Sequence, residues 1–169
     1  MRSWYAVGVL TLAYLFSSID RQILSLMVGP IKRDLALTDT QFSLLAGLAF
    51  ALFYTLLGIP IARLADHRSR KGLIAAGIAL WSLATAAGGL ARSFAHLFTA
   101  RVAVGVGEAA LSPAAYSMLA DLFPPERLGR AIGIYSSGVF LGIGLSFVIG
   151  GVLIAHLEAL GGVTVPVLG

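Results

Sequence analysis

The chain is a series of long apolar blocks separated by short polar segments. Each block is long enough for a helix that crosses a hydrocarbon core of about 30 Å, which takes about 20 residues. Strands of a membrane barrel would instead be about 10 residues long with alternating polarity. The pattern therefore predicts an all-α, polytopic membrane helix bundle, with five transmembrane helices at about residues 4–28, 41–64, 73–90, 95–119 and 131–155.

Polar and helix-breaking residues set several of the predicted ends. Gly29 and Pro30 are predicted to end the first helix, because proline lacks the backbone donor and restricts the residue before it. Thr38 and Gln41 form a predicted capping box at the start of the second helix. Residues 1–155 are predicted to form one transmembrane bundle. Residues 156–169 are predicted to form an extracytoplasmic loop, because Gly, Thr and Pro interrupt this short segment.

Composition and charge agree with a membrane protein. Apolar residues make up 58% of the chain and charged residues 12%, with a mean hydropathy of +0.91. Soluble domains have roughly 45 to 50% apolar and about 25% charged residues. Most basic residues lie in loops on one predicted side, which by the positive-inside rule is the cytoplasmic side and holds the N-terminus. This side carries Arg2, Arg63, Arg68, Arg70, Lys71, Arg127 and Arg130, and the other carries Lys32, Arg33 and Arg92.

Several function classes have no support in the sequence. The excess positive charge follows membrane topology, so no nucleic-acid partner is predicted. The chain has no cysteine, and its three histidines have no carboxylate or histidine partner at ligand spacing, so no metal site or other cofactor is predicted. It also has no grouping of serine, histidine and carboxylate and no phosphate-binding glycine loop. An enzyme is therefore not expected.

Four charged residues lie inside predicted transmembrane helices, where each costs about 2.5 to 3.5 kcal/mol on insertion scales. Asp20 and Arg21 are neighbours and point about 100° apart on the first helix, so each needs a partner elsewhere. Arg101 and Glu108 lie two turns apart on one face of the fourth helix, roughly 10 Å along its axis. Two interpretations stay open: a charge network that only holds two helices together, or a solvated cavity that binds protons and an anion.

Two features of the later helices concern packing. Gly138, Gly142, Ser146 and Gly150 recur every fourth residue in the fifth helix, which predicts close approach of a neighbouring helix. Pro113 lies within the fourth helix near Glu108 and is predicted to kink it there. A kink is better tolerated at a cavity wall than at a lipid-facing position.

Three motifs together resemble a known transporter family. The loop ARLADHRSRKG after the second helix resembles the G-x-L-A-D-[RK]-x-G-[RK]-[RK] motif of the major facilitator superfamily, with Ala62 and Ser69 in place of its glycines. Helix four carries RVAVGVGEAALSPAAYS, similar to the superfamily's R-V-x-x-G-x-G pattern, and DLFPPERLGRA follows it. The glutamate after the second glycine and the Asp-Arg pair of helix one narrow the resemblance to the Spinster family. The chain thus resembles the N-terminal half of such a protein.

The resemblance implies a protein of twelve helices in two halves, of which the sixth helix and the second half are missing from this chain. It also implies alternating access, with Asp20 and Glu108 in proton coupling and with a lysophospholipid-like or other amphiphilic anion as substrate. The proposed substrate contacts are the arginines Arg21 and Arg101 and the aromatic residues Tyr14, Phe16 and Tyr116. The expected partners are this substrate, protons, the lipid bilayer and the C-terminal half.

The resemblance further implies a gate at the cytoplasmic face. Asp66, Arg70 and Lys71 match the charged positions of the loop motif, and Asp121 or Glu126 can pair with the two basic residues. The alternative is that the basic residues serve only as topological anchors.

Together with the charge distribution of the loops, the resemblance therefore implies a proton-coupled secondary active transporter in the bacterial inner membrane, with its N-terminus in the cytoplasm. The alternative is a non-transporting membrane fragment or helix-assembly module, in which the buried charges are structural.

Overall fold

The computed structural model describes residues 2–67 and 69–159, and this part of the chain consists of helices joined by short turns, without strands. The predicted all-α class is confirmed. The α-helices in chain order are α1 (Arg2–Leu26), α2 (Val28–Asp34), α3 (Asp39–Ser43), α4 (Ala49–His67), α5 (Arg70–Gly89), α6 (Phe94–Glu108), α7 (Leu111–Leu122) and α8 (Pro125–Ala159), with a π-helical turn at Leu44–Leu48 between α3 and α4.

Five stretches of the described chain are long and apolar enough to cross a membrane, as predicted. We name them spans 1 to 5 in chain order: Ser3–Leu26, Asp39–Leu64, Arg70–Gly89, Phe94–Leu122 and Pro125–Leu153. Many large apolar side chains on their outer surfaces are exposed, including Leu83 at 71% and Phe140 at 75%. A soluble bundle would bury such side chains, whereas a lipid-facing helix presents them outward.

Side-chain caps begin three of the spans. Thr38 and Gln41 form the complete capping box predicted from the sequence, in which each side chain satisfies a backbone N–H of the other residue. The Ser69 hydroxyl accepts from the Gly72 N–H at the start of span 3, and the Ser93 hydroxyl accepts from the His96 N–H at the start of span 4. These caps satisfy donors that the first helical turn leaves without partners.

The prediction that Gly29 and Pro30 end the first helix is wrong in detail. Helix α1 already ends at Leu26, and both residues lie in the first turn of the short helix α2. Proline is tolerated there because the N–H groups of a first turn have no intrahelical acceptor.

Span 5 is longer than the predicted 131–155. Helix α8 begins at Pro125 and runs to Ala159, which includes the start of the segment predicted as a loop. Proline at the first helical position is favourable because its φ angle suits the helix. The remainder of that predicted loop, residues 160–169, lies outside the described residues.

Small residues bring the helices into close contact. Gly138 and Gly142 face the backbone of span 1, where an added Cβ would lie 2.7 Å from the Thr11 oxygen and 2.5 Å from the Leu15 oxygen. Ser146 and Gly150 continue this buried stripe. The close approach predicted from their spacing is confirmed.

Span 4 is interrupted in its middle. Helix α6 ends at Glu108, and α7 begins at Leu111 after a turn at Ala109 and Ala110. Pro113 lacks the N–H that would bond to the Ala109 carbonyl, so a regular helix cannot continue through this point. The predicted irregularity near Glu108 is therefore present.

Candidate functional site

Two ion pairs connect span 1 to span 4. Arg21 Nε lies 3.0 Å from Glu108 Oε2, and Arg101 Nη1 lies 3.4 Å from Asp20 Oδ2. Neighbours on a helix point about 100° apart, so Asp20 and Arg21 reach different partners two turns apart on span 4. The structure therefore brings together all four charges that the sequence placed within the spans.

Glu108 is the most enclosed of the four. Its side chain is 0% exposed, and its Oε2 accepts a hydrogen bond of 2.8 Å from the Ser17 hydroxyl. The same hydroxyl accepts 2.8 Å from Arg21 Nη2, so serine joins the two charges. Oε1 of Glu108 has no hydrogen-bond partner within the described residues. A buried carboxylate oxygen without a partner is uncommon in folded proteins and favours a functional explanation.

Arg21 also contacts two aromatic rings of span 2. Its guanidinium carbon lies 5.2 Å from the centre of the Phe50 ring and 5.8 Å from that of Tyr54. Gly105 permits this arrangement, because a Cβ there would lie 2.9 Å from the Phe50 carbonyl oxygen. With 33% of its side chain exposed, Arg21 is held by rings and carboxylate while remaining accessible on one side.

Asp20 faces a different environment. The Thr85 hydroxyl of span 3 donates 2.9 Å to its Oδ1. Both Asp20 and Arg101 line a cavity of about 330 Å³ between spans 1, 3 and 4, whose wall also includes Asp34 and Met27. The Asp20 pair thus adjoins open space, whereas the Glu108 carboxylate is enclosed.

Three tyrosines form a cluster between spans 1, 4 and 5. Tyr14 stacks on Tyr135 with ring centres 4.8 Å apart, and Tyr116 meets Tyr135 edge-on at 5.4 Å. Tyr135 is fully buried, and its hydroxyl has no hydrogen-bond partner in the described part of the chain. Phe16, the third predicted aromatic contact, is 61% exposed and lies apart from this cluster.

Sequence reasoning missed several members of the site. Ser17 and Thr85 were not predicted. The one sequence signal that could have indicated them is that they are small polar residues within spans. Phe50 and Tyr135 carry no such signal, because aromatic residues are common in membrane helices. Only the packing of span 2 on Gly105 and of span 5 on span 1 shows where these rings lie.

The predicted gate residues are only partly connected. Arg70, at the start of span 3, forms an ion pair with Asp121 near the end of span 4. Lys71 and Glu126 are exposed and take part in none of the ion pairs among the described residues. The side chain of Asp66 lies outside the described residues.

The chemistry of the site follows from its alternating charges. A carboxylate that takes up a proton loses its attraction for its arginine, which then becomes available to an anion. The described residues contain no group of three or more His, Cys, Asp or Glu side chains that could hold a metal ion. An arrangement of this kind can exchange protons at its carboxylates and bind an anionic group at its arginines.

Comparison with known proteins gives the family. The sequence profile of the Major Facilitator Superfamily matches residues 10–167. The chain belongs to the major facilitator superfamily. Members of this superfamily are transporters and not enzymes, so the chain is part of an integral membrane protein of a transporter family.

Individual relatives narrow the resemblance. An efflux pump of the superfamily from Mycolicibacterium smegmatis is 35% identical, covering 92% of this chain and 36% of the relative. Human protein spinster homolog 1 is 31% identical, covering 88% of this chain and 28% of the relative. A solved structure of a bacterial homolog to the human lysosomal transporter Spinster, in an inward-facing and occupied conformation, is 40% identical in sequence. It matches with a TM-score of 0.86 over 94% of this chain and 36% of that chain. The resemblance to Spinster proteins is confirmed, and the chain spans about a third of the length of these relatives.

Proposed function

We propose that this chain belongs to a proton-coupled secondary active transporter that moves a lysophospholipid-like or other amphiphilic anion by alternating access. The observation that carries the proposal is the pair of arginine–carboxylate contacts between spans 1 and 4. Four charges within spans carry a large insertion cost, which apolar packing would avoid. The presence of these charges despite that cost favours a role in ligand and proton binding.

The proposed cycle assigns one task to the two carboxylates and another to the two arginines. Glu108 and Asp20 take up protons, and the arginine that each releases binds the anionic headgroup. Arg21 suits this role because one side of its guanidinium group is accessible while Phe50 and Tyr54 hold its position. Arg101 suits it because it borders the cavity next to Asp20. An arginine binds a phosphate or carboxylate through two parallel hydrogen bonds.

The apolar part of the substrate is assigned to aromatic walls. Tyr14 and Tyr116, joined through Tyr135, lie along spans 1 and 4 about two turns from the ion pair of Arg21. Their spacing suits a ligand with a charged head at the ion pair and a chain along the rings. Phe16 is a proposed contact only for a ligand that extends around the exposed side of span 1.

A gate completes the proposal. It lies at the N-terminal end of the bundle, which is the end where spans 1, 3 and 5 begin. The ion pair of Arg70 and Asp121 ties span 3 to span 4 at this end. Asp66, Lys71 and Glu126 are proposed to join it when the remaining part of the transporter closes on this face. The concentration of basic residues at this end of the bundle favours its position on the cytoplasmic side of the membrane. We propose that the protein lies in the bacterial inner membrane and that its C-terminal half is the partner of this bundle.

The second candidate is a helix-assembly module in which the charges only fix spans 1 and 4 in register. The observation in its favour is that both ion pairs connect the same two spans. It predicts that charge-neutral variants lose folded protein and not coupling.

One experiment separates the two candidates. The full-length protein that contains this chain is reconstituted in liposomes, and uptake of a labelled lysophospholipid is measured with and without a proton gradient. We expect gradient-driven uptake that Glu108→Gln and Asp20→Asn reduce at least tenfold, while gradient-independent exchange persists. The control is Asp39→Asn, which neutralises a carboxylate that is 94% exposed at the start of α3.

The outcomes are distinct. Loss of folded protein in both variants, without separate loss of coupling, would support the assembly module. Gradient-coupled uptake at the wild-type rate in both variants would refute the proton role. Gradient-coupled uptake of other anions, but of no lysophospholipid, would support the proposed proton coupling and refute the proposed substrate class.

A further inference from the structure

A groove with two arginines lies at the N-terminal end of the bundle, away from the paired charges between spans 1 and 4. It has a volume of about 370 Å³ and is lined by Trp4, Arg127, Arg130 and Ile134. Trp4 belongs to the first turn of span 1, and the two arginines belong to the first turns of span 5. The groove thus lies where two neighbouring spans begin.

Neither arginine of this groove has an ion-pair partner in the described part of the chain. None of the ion pairs among the described residues involves Arg127 or Arg130. Of the carboxylates close in sequence, Asp121 is paired with Arg70, and Glu126, which lies on the same helix as both arginines, forms none of these ion pairs. Two positive charges therefore line one cavity without an ion-paired carboxylate among the described residues, which favours an external anion.

Trp4 gives the groove a fixed wall. Its ring lies 5.6 Å from the guanidinium carbon of Arg130 and packs edge-on against Phe123, with ring centres 4.8 Å apart. Phe123 is itself buried. The tryptophan is thus held between a buried ring and a cation, which orients the guanidinium group of Arg130 toward the groove.

The surroundings indicate where the anion comes from. Tryptophan at the start of a span is typical of the membrane–water interface. Ile134 extends the groove one helical turn further into the span and is 39% exposed, so an apolar chain can continue from the charged end. A basic pocket between spans at this depth is suited to the headgroup of an acidic lipid.

We propose that this groove binds the phosphate headgroup of an anionic membrane phospholipid, such as phosphatidylglycerol. The two guanidinium groups contact the phosphate, and Trp4 and Ile134 contact the upper part of an acyl chain. The bound lipid is a component of the surrounding bilayer, and the site is separate from the transport site. The inference does not depend on the proposed transport cycle. A free phosphate ion shares the headgroup chemistry, so the test distinguishes the two.

Tryptophan fluorescence provides the test, because the chain has only two tryptophans. The protein carries Trp81→Phe and has any tryptophan outside this chain replaced, so that Trp4 is the reporter. It is reconstituted in phosphatidylcholine vesicles that contain the same fraction of brominated phosphatidylglycerol or brominated phosphatidylcholine. We expect a roughly tenfold preference for phosphatidylglycerol next to Trp4, which decreases at high salt.

Charge variants identify the groove as the source of this preference. Arg127→Gln with Arg130→Gln is expected to abolish it, whereas Arg127→Lys with Arg130→Lys retains most of it. Arg63→Gln with Arg92→Gln removes the same charge at two exposed positions outside the groove and is expected to leave the preference unchanged. Helical circular dichroism establishes that each variant is folded, and native mass spectrometry counts retained phosphatidylglycerol in the protein with Trp81 intact.

Three results would overturn the proposal. Equal quenching by both brominated lipids would show that no selective lipid site exists. An equal loss in the Arg63 and Arg92 variant would show that only overall charge matters. Removal of the preference by millimolar inorganic phosphate, but not by the same concentration of chloride, would assign the groove to a soluble anion.

Discussion

Arg21 of span 1 and Glu108 of span 4 form an ion pair through Nε and Oε2 at 3.0 Å, and the carboxylate is fully enclosed. Removing Arg21 leaves the enclosed Glu108 carboxylate without its compensating charge, which costs about 3 to 5 kcal/mol. Replacing both partners by apolar residues removes that penalty.

This pair yields a prediction for stability. We expect Arg21→Met alone to lower the free energy of unfolding by about 3 kcal/mol, and Arg21→Met with Glu108→Leu to recover most of the loss. Thermal unfolding in detergent measures both. The exposed pair of Lys32 and Asp39 serves as a control, for which the corresponding changes should stay below about 1 kcal/mol. Additive losses in the double variant would contradict a direct interaction.

The contact between spans 1 and 5 gives a second prediction. An added Cβ at Gly142 would lie 2.5 Å from the Leu15 oxygen and 2.7 Å from the Ser18 Cβ, whereas Gly144 has nothing within 4 Å. We therefore expect Gly142→Ala to destabilise the protein by about 1 to 3 kcal/mol and Gly144→Ala to have little effect. Unfolding of the two variants under identical conditions is the measurement. Equal stability of both would mean that the helices separate at no cost.

The ion pair of Arg70 and Asp121 gives a third prediction, which separates a gate from a topological anchor. Arg70→Asp is expected to slow transport by roughly tenfold through repulsion of Asp121, and Arg70→Asp with Asp121→Arg to restore it by forming the reversed pair. Transport in liposomes by the full-length protein measures both. A topological anchor does not need Asp121 in particular, so Arg70→Asp with Glu126→Arg, which returns the positive charge to the same face without reversing the pair, would then restore transport equally well.

Membrane orientation gives a fourth prediction, and the chain suits its test because it has no cysteine. Asp39 and Glu126 are exposed residues at opposite ends of the bundle, and each is replaced by cysteine in a separate variant. In intact cells we expect a membrane-impermeant maleimide to label Asp39→Cys but not Glu126→Cys, and in broken cells to label both. The reverse pattern would place the N-terminus outside.

Helix existence and the different directions of Asp20 and Arg21 followed from local rules, because each depends on residues close in sequence or on one helical period. The capping box at Thr38 and the separate partners of Asp20 and Arg21 are examples. The end of the first helix did not follow, since Pro30 is compatible with a first turn as well as with a break. The position of Tyr135 depends on how closely span 5 packs on span 1, which no local pattern specifies.

The adjacency of Asp20 and Arg21 links the two ion pairs mechanically. Both side chains extend from one turn of span 1 in directions about 100° apart, and both partners belong to span 4. A rotation of span 1 about its own axis would carry both charges in the same sense, toward one partner and away from the other. Shortening the ion pair of Arg21 and Glu108 would then lengthen that of Asp20 and Arg101, and the reverse rotation would do the opposite. Rotation of span 1 would thus make the two ion pairs alternate.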